Sequence, residues 1–143
     1  MTIAKLIEGR ASSDIISVSV DQKVSDAVRI LASKRIGALP VMEGGRVAGI
    51  FSERDVIYRL AEEGDACLSR PVGEVMTSPA ITVERTTMIN HALALMTKRR
   101  IRHLPVVDGG AMCGFISIGD LVKVRMDEVQ HEADAMRDYI AHA

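Results

Sequence analysis

The chain has 143 residues, 48% of them hydrophobic, which is enough for one compact domain or two small fused ones and rules out disorder. Its 18 basic and 19 acidic residues give a net charge of −1, so no general positive field favours nucleic acid or a membrane as a partner. No apolar run approaches the roughly 20 residues of a spanning helix, and the N-terminus lacks the apolar core of a signal peptide, so we expect a cytoplasmic protein.

The sequence contains no motif typical of a metal site or a catalytic centre. Cys67 and Cys113 lack CxxC partners and are too few for a disulfide framework. Neither an HExxH motif nor a nucleophile elbow occurs, and His91 falls on the solvent side of a predicted helix. We therefore expect no metal, no required cofactor and no enzymatic step.

The chain repeats itself after 65 positions, because residues 15–55 align with residues 80–120 without a gap. An internal repeat decides the architecture before any other feature does. The identical pairs include Leu39/Leu104, Pro40/Pro105, Gly44/Gly109, Gly49/Gly114, Ser52/Ser117 and Asp55/Asp120. We therefore expect two copies of one structural unit.

Each unit begins with a short alternating strand, at residues 16–18 in the first copy. A polar turn follows, with Asp21 (Thr86 in the second copy) as the expected cap of an amphipathic helix. The apolar positions of that helix are 24, 27, 28 and 31, and 89, 92, 93 and 96. Two apolar runs joined by a Gly-Gly turn then predict a β-hairpin, and a second helix begins at about Ser52.

The predicted unit is β-α-β-β-α, and the expected fold class is α/β (α+β). One copy alone would leave about half of its hydrophobic surface wet, so two copies are expected to pack about an internal pseudo-twofold axis. The predicted domains are residues 1–66, residues 67–124 and a C-terminal helical tail at 125–143. Pro40 and Pro105 imply that their strand has a free N–H side.

The tail carries a stripe of residues spaced alternately by four and three, which is typical of a coiled-coil seam. Its members are Val122, Met126, Val129, Ala133, Met136 and Ile140. Two interpretations stay open, because three heptads are marginal alone. The helix either folds back onto its own domain or pairs with a second copy in a homodimer.

Several of these motifs together resemble a tandem pair of CBS domains, a Bateman module. They are LPV(M/V)(E/D)GG, the following G(I/F)(F/I)SxxD, and VxxVMT before the second copy. The chain is also similar to the regulatory insert of inosine monophosphate dehydrogenases, but without an attached catalytic barrel, so it looks like a stand-alone member. The resemblance implies dimerisation and a sensor of adenosine compounds such as AMP, ADP, ATP, NAD or S-adenosylmethionine, bound between the repeats.

Ser117 and Asp120 lie where a strand passes into a helix, and a helix N-terminus favours an anion. A carboxylate there can accept both hydroxyls of a ribose, although Ser-x-x-Asp is also a capping box. Arg102 and His103 have no basic counterpart in the first copy and add donors for a phosphate; strand alternation leaves open whether both face the same cleft. The resemblance places these four residues in one cleft, with the adenine covered by Ile15, Ile16, Ile36 and Ala38.

The quasi-equivalent cleft would use Ser52 and Asp55, with the base surrounded by Ala80, Ile81 and Ile101. Gly37 and Ala38 supply no charge there, so we expect weaker phosphate binding. Arg99 and Arg100 match Lys34 and Arg35 of the first copy, which indicates a solvated helix end that complements the helix dipole.

The sequence therefore leaves two alternative hypotheses for the function. One is a regulatory sensor that binds an adenine nucleotide, has no catalytic activity and acts on an unidentified protein. The other is a ligand-free module whose Ser-x-x-Asp motifs only cap helices and whose output is dimerisation.

Overall fold

The computed structural model describes residues 1–143 and contains two three-stranded sheets with the same topology. In each sheet the first strand runs parallel to the second, and the second runs antiparallel to the third. The first sheet consists of β1 (Val18–Ser19), β2 (Ala38–Glu43) and β3 (Arg46–Ser52); the second consists of β4 (Val83–Glu84), β5 (His103–Asp108) and β6 (Ala111–Ser117). The predicted fold class is confirmed.

Two long helices accompany each sheet, in the order that the sequence predicts. They are α2 (Val24–Lys34) and α3 (Glu53–Glu63) in the first unit, and α5 (Ile89–Arg99) and α6 (Ile118–Ala141) in the second. Two short helices, α1 (Ile3–Ile7) and α4 (Val72–Val75), and 3-10 turns at Ser12–Asp14 and Gly64–Ser69 complete the chain. Each unit is therefore β-α-β-β-α, preceded by a short helix.

The first turns of α2 and α5 are not capped as the sequence predicts. Neither helix has a side-chain cap, and they begin after Lys23 and Met88, so the prediction of Asp21 and Thr86 as caps is wrong. Backbone carbonyls satisfy these amides instead: Val24 donates to Arg70 over 2.9 Å, and Ile89 donates to Met1 over 3.0 Å. A backbone carbonyl from outside the unit thus takes the place of the side-chain cap in each helix.

The two short helices are exchanged between the hydrophobic cores. Ile3 and Ile7 of α1 are buried in the core of the second unit. Val72 and Val75 of α4 are buried in the core of the first. The segment that precedes each unit therefore completes the core of the other, which fixes the two units against each other. The domain boundary at residues 66/67 stays a prediction.

Pro40 occupies the central strand of its sheet without losing a hydrogen bond. It lies opposite Ile50, whose N–H and C=O both bond to Thr77, so the Pro40 nitrogen faces away from β3. On that other side β1 pairs only with Val41 and Met42. The predicted free N–H side is confirmed.

The helix α6 is continuous over 24 residues and runs through the predicted start of the tail at residue 125. Leu121 is its only buried residue. None of the helices combines the length and the hydrophobicity needed to cross a membrane.

Candidate functional site

A cavity of about 390 Å³ lies between the two units at the N-terminus of α3. We call it the first cleft. Its polar wall carries Ser52, Asp55 and Thr77, and basic residues stand at its rim. Its apolar wall consists of Ala38, Ile50, Pro79, Ala80, Ile81 and Ile101. The size falls within the range of about 300–1,000 Å³ that is usual for small-molecule sites.

Ser52 and Asp55 form a capping box at the start of α3. The Asp55 Oδ2 accepts a hydrogen bond from the Ser52 amide at 2.8 Å, and the Ser52 Oγ accepts one from the Asp55 amide at 3.4 Å. The Thr77 hydroxyl donates to the Asp55 Oδ1 at 2.9 Å. The carboxylate is therefore held by its own helix and by the connector between the units, and it keeps acceptor capacity on the side of the cleft.

The basic rim comes from the second unit. Arg99, Arg100, Arg102 and His103 all line the first cleft, so Arg99 and Arg100 do more than end a solvated helix. The Arg102 Nη2 lies 3.4 Å from the Glu53 Oε1, and both side chains are exposed. Arg102 precedes β5 and is not part of it, so the alternation of a regular strand does not separate it from His103.

His103 is half-buried at the start of β5 and stacks on Phe115, with ring centroids 5.5 Å apart. Burial lowers the pKa of His103, and the charge of Arg102 lowers it further, against the opposing influence of Asp120 and Glu53. The imidazole is thus neutral at pH 7 and presents one donor and one acceptor.

The equivalent position in the second unit has a different environment. Ser117 and Asp120 form the same capping box at the start of α6. The free oxygen of Asp120, Oδ1, is 3.3 Å from the Arg10 Nη2. Burial by itself raises the pKa of Asp120, but the hydrogen bond from the Ser117 amide and the charge of Arg10 outweigh it, so the pKa lies below the ordinary value.

A second depression, of about 460 Å³ and more open to solvent, lies beside Ser117; we call it the second cleft. It reaches Arg35, Ile36 and Gly37, and it shares Arg102 and His103 with the first cleft, but Asp120 does not line it. The carboxylate that would meet a ribose is engaged by Arg10.

The structure distributes the predicted site residues unequally. Those that line the first cleft are Gly37, Ala38, Ser52, Asp55, Ala80, Ile81, Ile101, Arg102 and His103. Ile36 and Ser117 line only the second cleft, whereas Ile15, Ile16 and Asp120 line neither of the two. Arg102 and His103 line both clefts, so their assignment to the cleft of Ser117 and Asp120 stays a prediction.

Sequence reasoning missed several residues that line the first cleft, among them Ile50, Glu53 and Pro79. Thr77 and Tyr58 line the first cleft, and Arg99 and Arg100 were assigned to a solvated helix end. The VMT motif, with Thr77 at its end, is the one sequence signal that could have been used to find the partner of Asp55.

Two interlocked β-α-β-β-α units with clefts between them define a tandem pair of regulatory domains. The CBS domain family model matches this chain twice, over residues 7–62 and 72–127. The chain belongs to the CBS domain family, as its sequence motifs predict.

Relatives of known sequence fit this assignment. The mitochondrial CBS domain-containing protein CBSX3 of Arabidopsis thaliana is 37% identical over 127 residues, which are 85% of this chain and 62% of that protein. The chain thus spans about three fifths of this relative's length. The inosine-5'-monophosphate dehydrogenase of Mycobacterium leprae is 34% identical over 122 residues, 83% of this chain but only 22% of the dehydrogenase.

Solved structures show the same fold. A protein with CBS domains from Burkholderia ambifaria is 39% identical, with a TM-score of 0.80, and the match covers 89% of this chain and 95% of that one. CBSX2, whose crystal structure was solved in complex with AMP, is 25% identical in sequence to this chain. The match has a TM-score of 0.75 and covers 88% of this chain and 96% of CBSX2.

Proposed function

We propose that the chain is a regulatory module that binds an adenosine nucleotide in the first cleft and carries out no catalytic step. The observation that carries this proposal is the placement of an oriented carboxylate, Asp55, and a cluster of arginines in one cavity with apolar walls. An adenosine nucleotide has matching parts: a ribose diol, an anionic phosphate and a flat apolar base.

The ribose is assigned to Asp55. Its Oδ2 accepts hydrogen bonds from both the amide and the hydroxyl of Ser52, and its Oδ1 accepts one from the Thr77 hydroxyl, so the Oδ1 retains a lone pair for a ribose hydroxyl. Because these partners fix the carboxylate before a ligand arrives, little side-chain entropy is lost on binding.

The phosphate is assigned to the basic rim. Arg54, Arg99, Arg100 and Arg102 line the first cleft, against the acidic side chains of Glu53 and Asp55. Guanidinium groups bind phosphate oxygens through charge-assisted, often bidentate hydrogen bonds. Arg102 is paired only with Glu53, across 3.4 Å and in an exposed position, and such a pair costs little to exchange for a phosphate.

The base is assigned to the wall that Ala38, Ala80 and Ile81 form. Apolar side chains favour the flat faces of an adenine through area burial. The relative CBSX2, which was crystallised in complex with AMP, supports an adenosine ligand. AMP, ADP, ATP and NAD are the ligands that we propose, and S-adenosylmethionine, which has no phosphate, tests the need for the arginines.

A regulated protein partner and a homodimer belong to the same proposal. The exchanged helices α1 and α4 couple the two cores, so a ligand that favours one spacing of the units changes the surface that a partner meets. The cytoplasmic location stays a prediction, and one relative is described as mitochondrial.

A matched pair of variants tests the site. Asp55→Asn and Asp120→Asn make the same change in the same capping box, but only Asp55 lines the first cleft. Thermal melts and calorimetric titrations with AMP, ATP, NAD and S-adenosylmethionine should show binding to the unmodified chain and to Asp120→Asn, and at least a tenfold loss of affinity in Asp55→Asn. A ligand at 100 times its dissociation constant adds about 2.7 kcal/mol of stability.

The competing function is a ligand-free dimerisation module. Its support is that the capping boxes satisfy Ser52, Asp55, Ser117 and Asp120 without any ligand. Absence of a melting shift with all four compounds would favour this alternative. Loss of binding in Asp120→Asn alone would move the site to the capping box of Ser117 and Asp120.

A further inference from the structure

The C-terminal half of α6 exposes an apolar stripe that nothing in the single chain covers. Met126, Val129, Met136 and Ile140 are 66%, 49%, 59% and 67% exposed. Together with Val122 and Ala133 they form the stripe that we call the α6 seam. A stripe of this kind on a soluble helix normally lies against another element.

The seam is free to accept a partner because α6 uses another face to contact its own unit. Leu121 is buried in the second core, and Ile118 and Val124 pack beside it. At 100° per residue, the seam is centred about 100° around the helix from Leu121. The fold-back interpretation of the tail therefore has no support in the structure, since α6 is one continuous helix and its seam residues Met126, Val129, Met136 and Ile140 are exposed.

The spacing of the seam sets the geometry of a partner helix. Positions 122, 129 and 136 correspond to heptad position d, and positions 126, 133 and 140 correspond to position a. We propose that the α6 seam pairs with the seam of a second copy of this chain, as a parallel two-stranded coiled coil. This inference does not depend on the nucleotide site.

The charges beside the seam favour a second copy in parallel orientation. Glu132 is a g position and Arg137 is the e position five residues further on. In a parallel pair, Glu132 lies beside the partner's Arg137, and the symmetry of the dimer produces this contact twice. The sequence of α6 is therefore complementary to itself.

The antiparallel alternative brings like charges together. In that arrangement g faces g and e faces e, so Glu132 would lie beside the partner's Glu132. Lys123 would lie beside the partner's Arg137. Like charges in such positions are unfavourable, and the antiparallel pair is disfavoured at three contacts.

The one contact that Arg137 makes within the chain does not compete strongly. Its Nη1 lies 3.6 Å from the Asp134 Oδ1, and the two side chains are 76% and 56% exposed. An exposed pair of this kind contributes little, so the guanidinium can turn towards a partner helix without much loss.

Cysteine cross-linking of the full chain tests the orientation. Position a faces itself across a parallel coiled coil, so Ala133→Cys should form a covalent dimer under mild oxidation. His131→Cys, at the outward position f, is the matched control and should stay monomeric on a denaturing gel. The native Cys67 is buried and Cys113 is half-buried, and the unmodified chain provides the background.

Charge exchange tests the pairing. Arg137→Glu should weaken the dimer about tenfold in sedimentation equilibrium, and the double variant Glu132→Arg/Arg137→Glu should restore it, because the exchange recreates both contacts. These residues are exposed, and a thermal melt verifies that each variant folds.

Three results would overturn the proposal. The first is a chain that sediments as a monomer at tens of micromolar. The second is a dimer that ignores Arg137→Glu and does not cross-link through Ala133→Cys, which would use another surface. The third is cross-linking of Ala133→Cys only with a Val129→Cys chain, which would indicate an antiparallel pair.

Discussion

Arg10 donates to the carboxylate of Asp120 across 3.3 Å. In the other unit the corresponding carboxylate, Asp55, accepts from the neutral hydroxyl of Thr77 at 2.9 Å. Each partner comes from the segment that precedes the other unit, although at the 65-residue spacing of the repeat Thr77 corresponds to Ser12 and not to Arg10. The two partners differ in charge, and for this reason the two clefts are not equivalent.

The first prediction concerns Arg10→Gln, which should raise the pKa of Asp120 towards its ordinary value. The pKa of Asp120 is lowered in the folded chain, so its contribution to stability is present above the ordinary aspartate range and is lost as the pH falls through the folded pKa. At pH 7 the variant should be less stable by up to about 1 kcal/mol, as for other exposed ion pairs. Urea unfolding measures this difference.

The difference between Arg10→Gln and the unmodified chain should vanish in acid, once Asp120 is protonated in both. Asp120→Asn is the control, because Arg10→Gln should have no effect on stability in its presence. An equal loss of stability at acidic and neutral pH would show that Arg10 acts through packing and not through the carboxylate.

The second prediction concerns the close approach of the connector to β3. A Cβ added to Gly49 would lie 2.6 Å from the Thr77 carbonyl oxygen and 2.7 Å from the Met76 Sδ. Because the obstacle includes backbone, Gly49→Ala should cost about 1–3 kcal/mol and displace Thr77 from Asp55. Urea unfolding gives the loss of stability.

The matched control for Gly49 is Gly114, its counterpart 65 residues later. A Cβ there meets first the end of the Ile7 side chain, at 3.2 Å, which can move. Gly114→Ala should therefore cost less than about 1 kcal/mol. Equal losses in the two variants would contradict the close approach at Thr77.

The elements of this fold could be predicted because their signals are local. The spacing of Val24, Ala27 and Leu31 predicts the face of α2 that packs against the core, and all three residues are buried. Gly44 and Gly45 predict the turn of the β-hairpin, and both residues have positive φ in the structure. Signals of this kind occur within one unit and appear twice in the aligned sequence.

The clefts could be predicted only in part, because their contacts join distant segments. Arg10 and Thr77 lie outside the two aligned stretches, 15–55 and 80–120, so comparison of the copies could not find them. The exchange of α1 and α4 between cores decides which segment meets which carboxylate. Nothing in the spacing of Arg102 and His103 indicated that they line both clefts.

The third prediction concerns the left-handed residues that end α2 and α5. Arg35 and Arg100 have φ of 53° and 54°, a conformation that costs an L-residue about 1–2 kcal/mol and glycine very little. Arg35→Gly and Arg100→Gly should each stabilise the chain, by about 0.5–1 kcal/mol after the greater chain entropy of glycine is included.

Only one of these two variants should affect nucleotide binding. Arg100 lines the first cleft and Arg35 does not, so calorimetry should show weaker AMP and ATP binding for Arg100→Gly and unchanged binding for Arg35→Gly. Unchanged affinity in both would remove Arg100 from the phosphate site, and a loss in Arg35→Gly alone would point to the second cleft.

The fourth prediction concerns the pH dependence of stability that His103 contributes. Burial and the charge of Arg102 lower its pKa in the folded chain, so between the folded and unfolded pKa values the unfolded chain binds the proton more tightly. Stability therefore falls as the pH decreases below the ordinary histidine range, and it stops falling from this cause below the folded pKa.

In His103→Gln this contribution is absent, so the stability of the unmodified chain should decline relative to the variant on going from pH 7 to pH 5. Urea unfolding at both values measures the difference. A constant difference between the chain and His103→Gln across this interval would mean that the imidazole is as well solvated when folded as when unfolded.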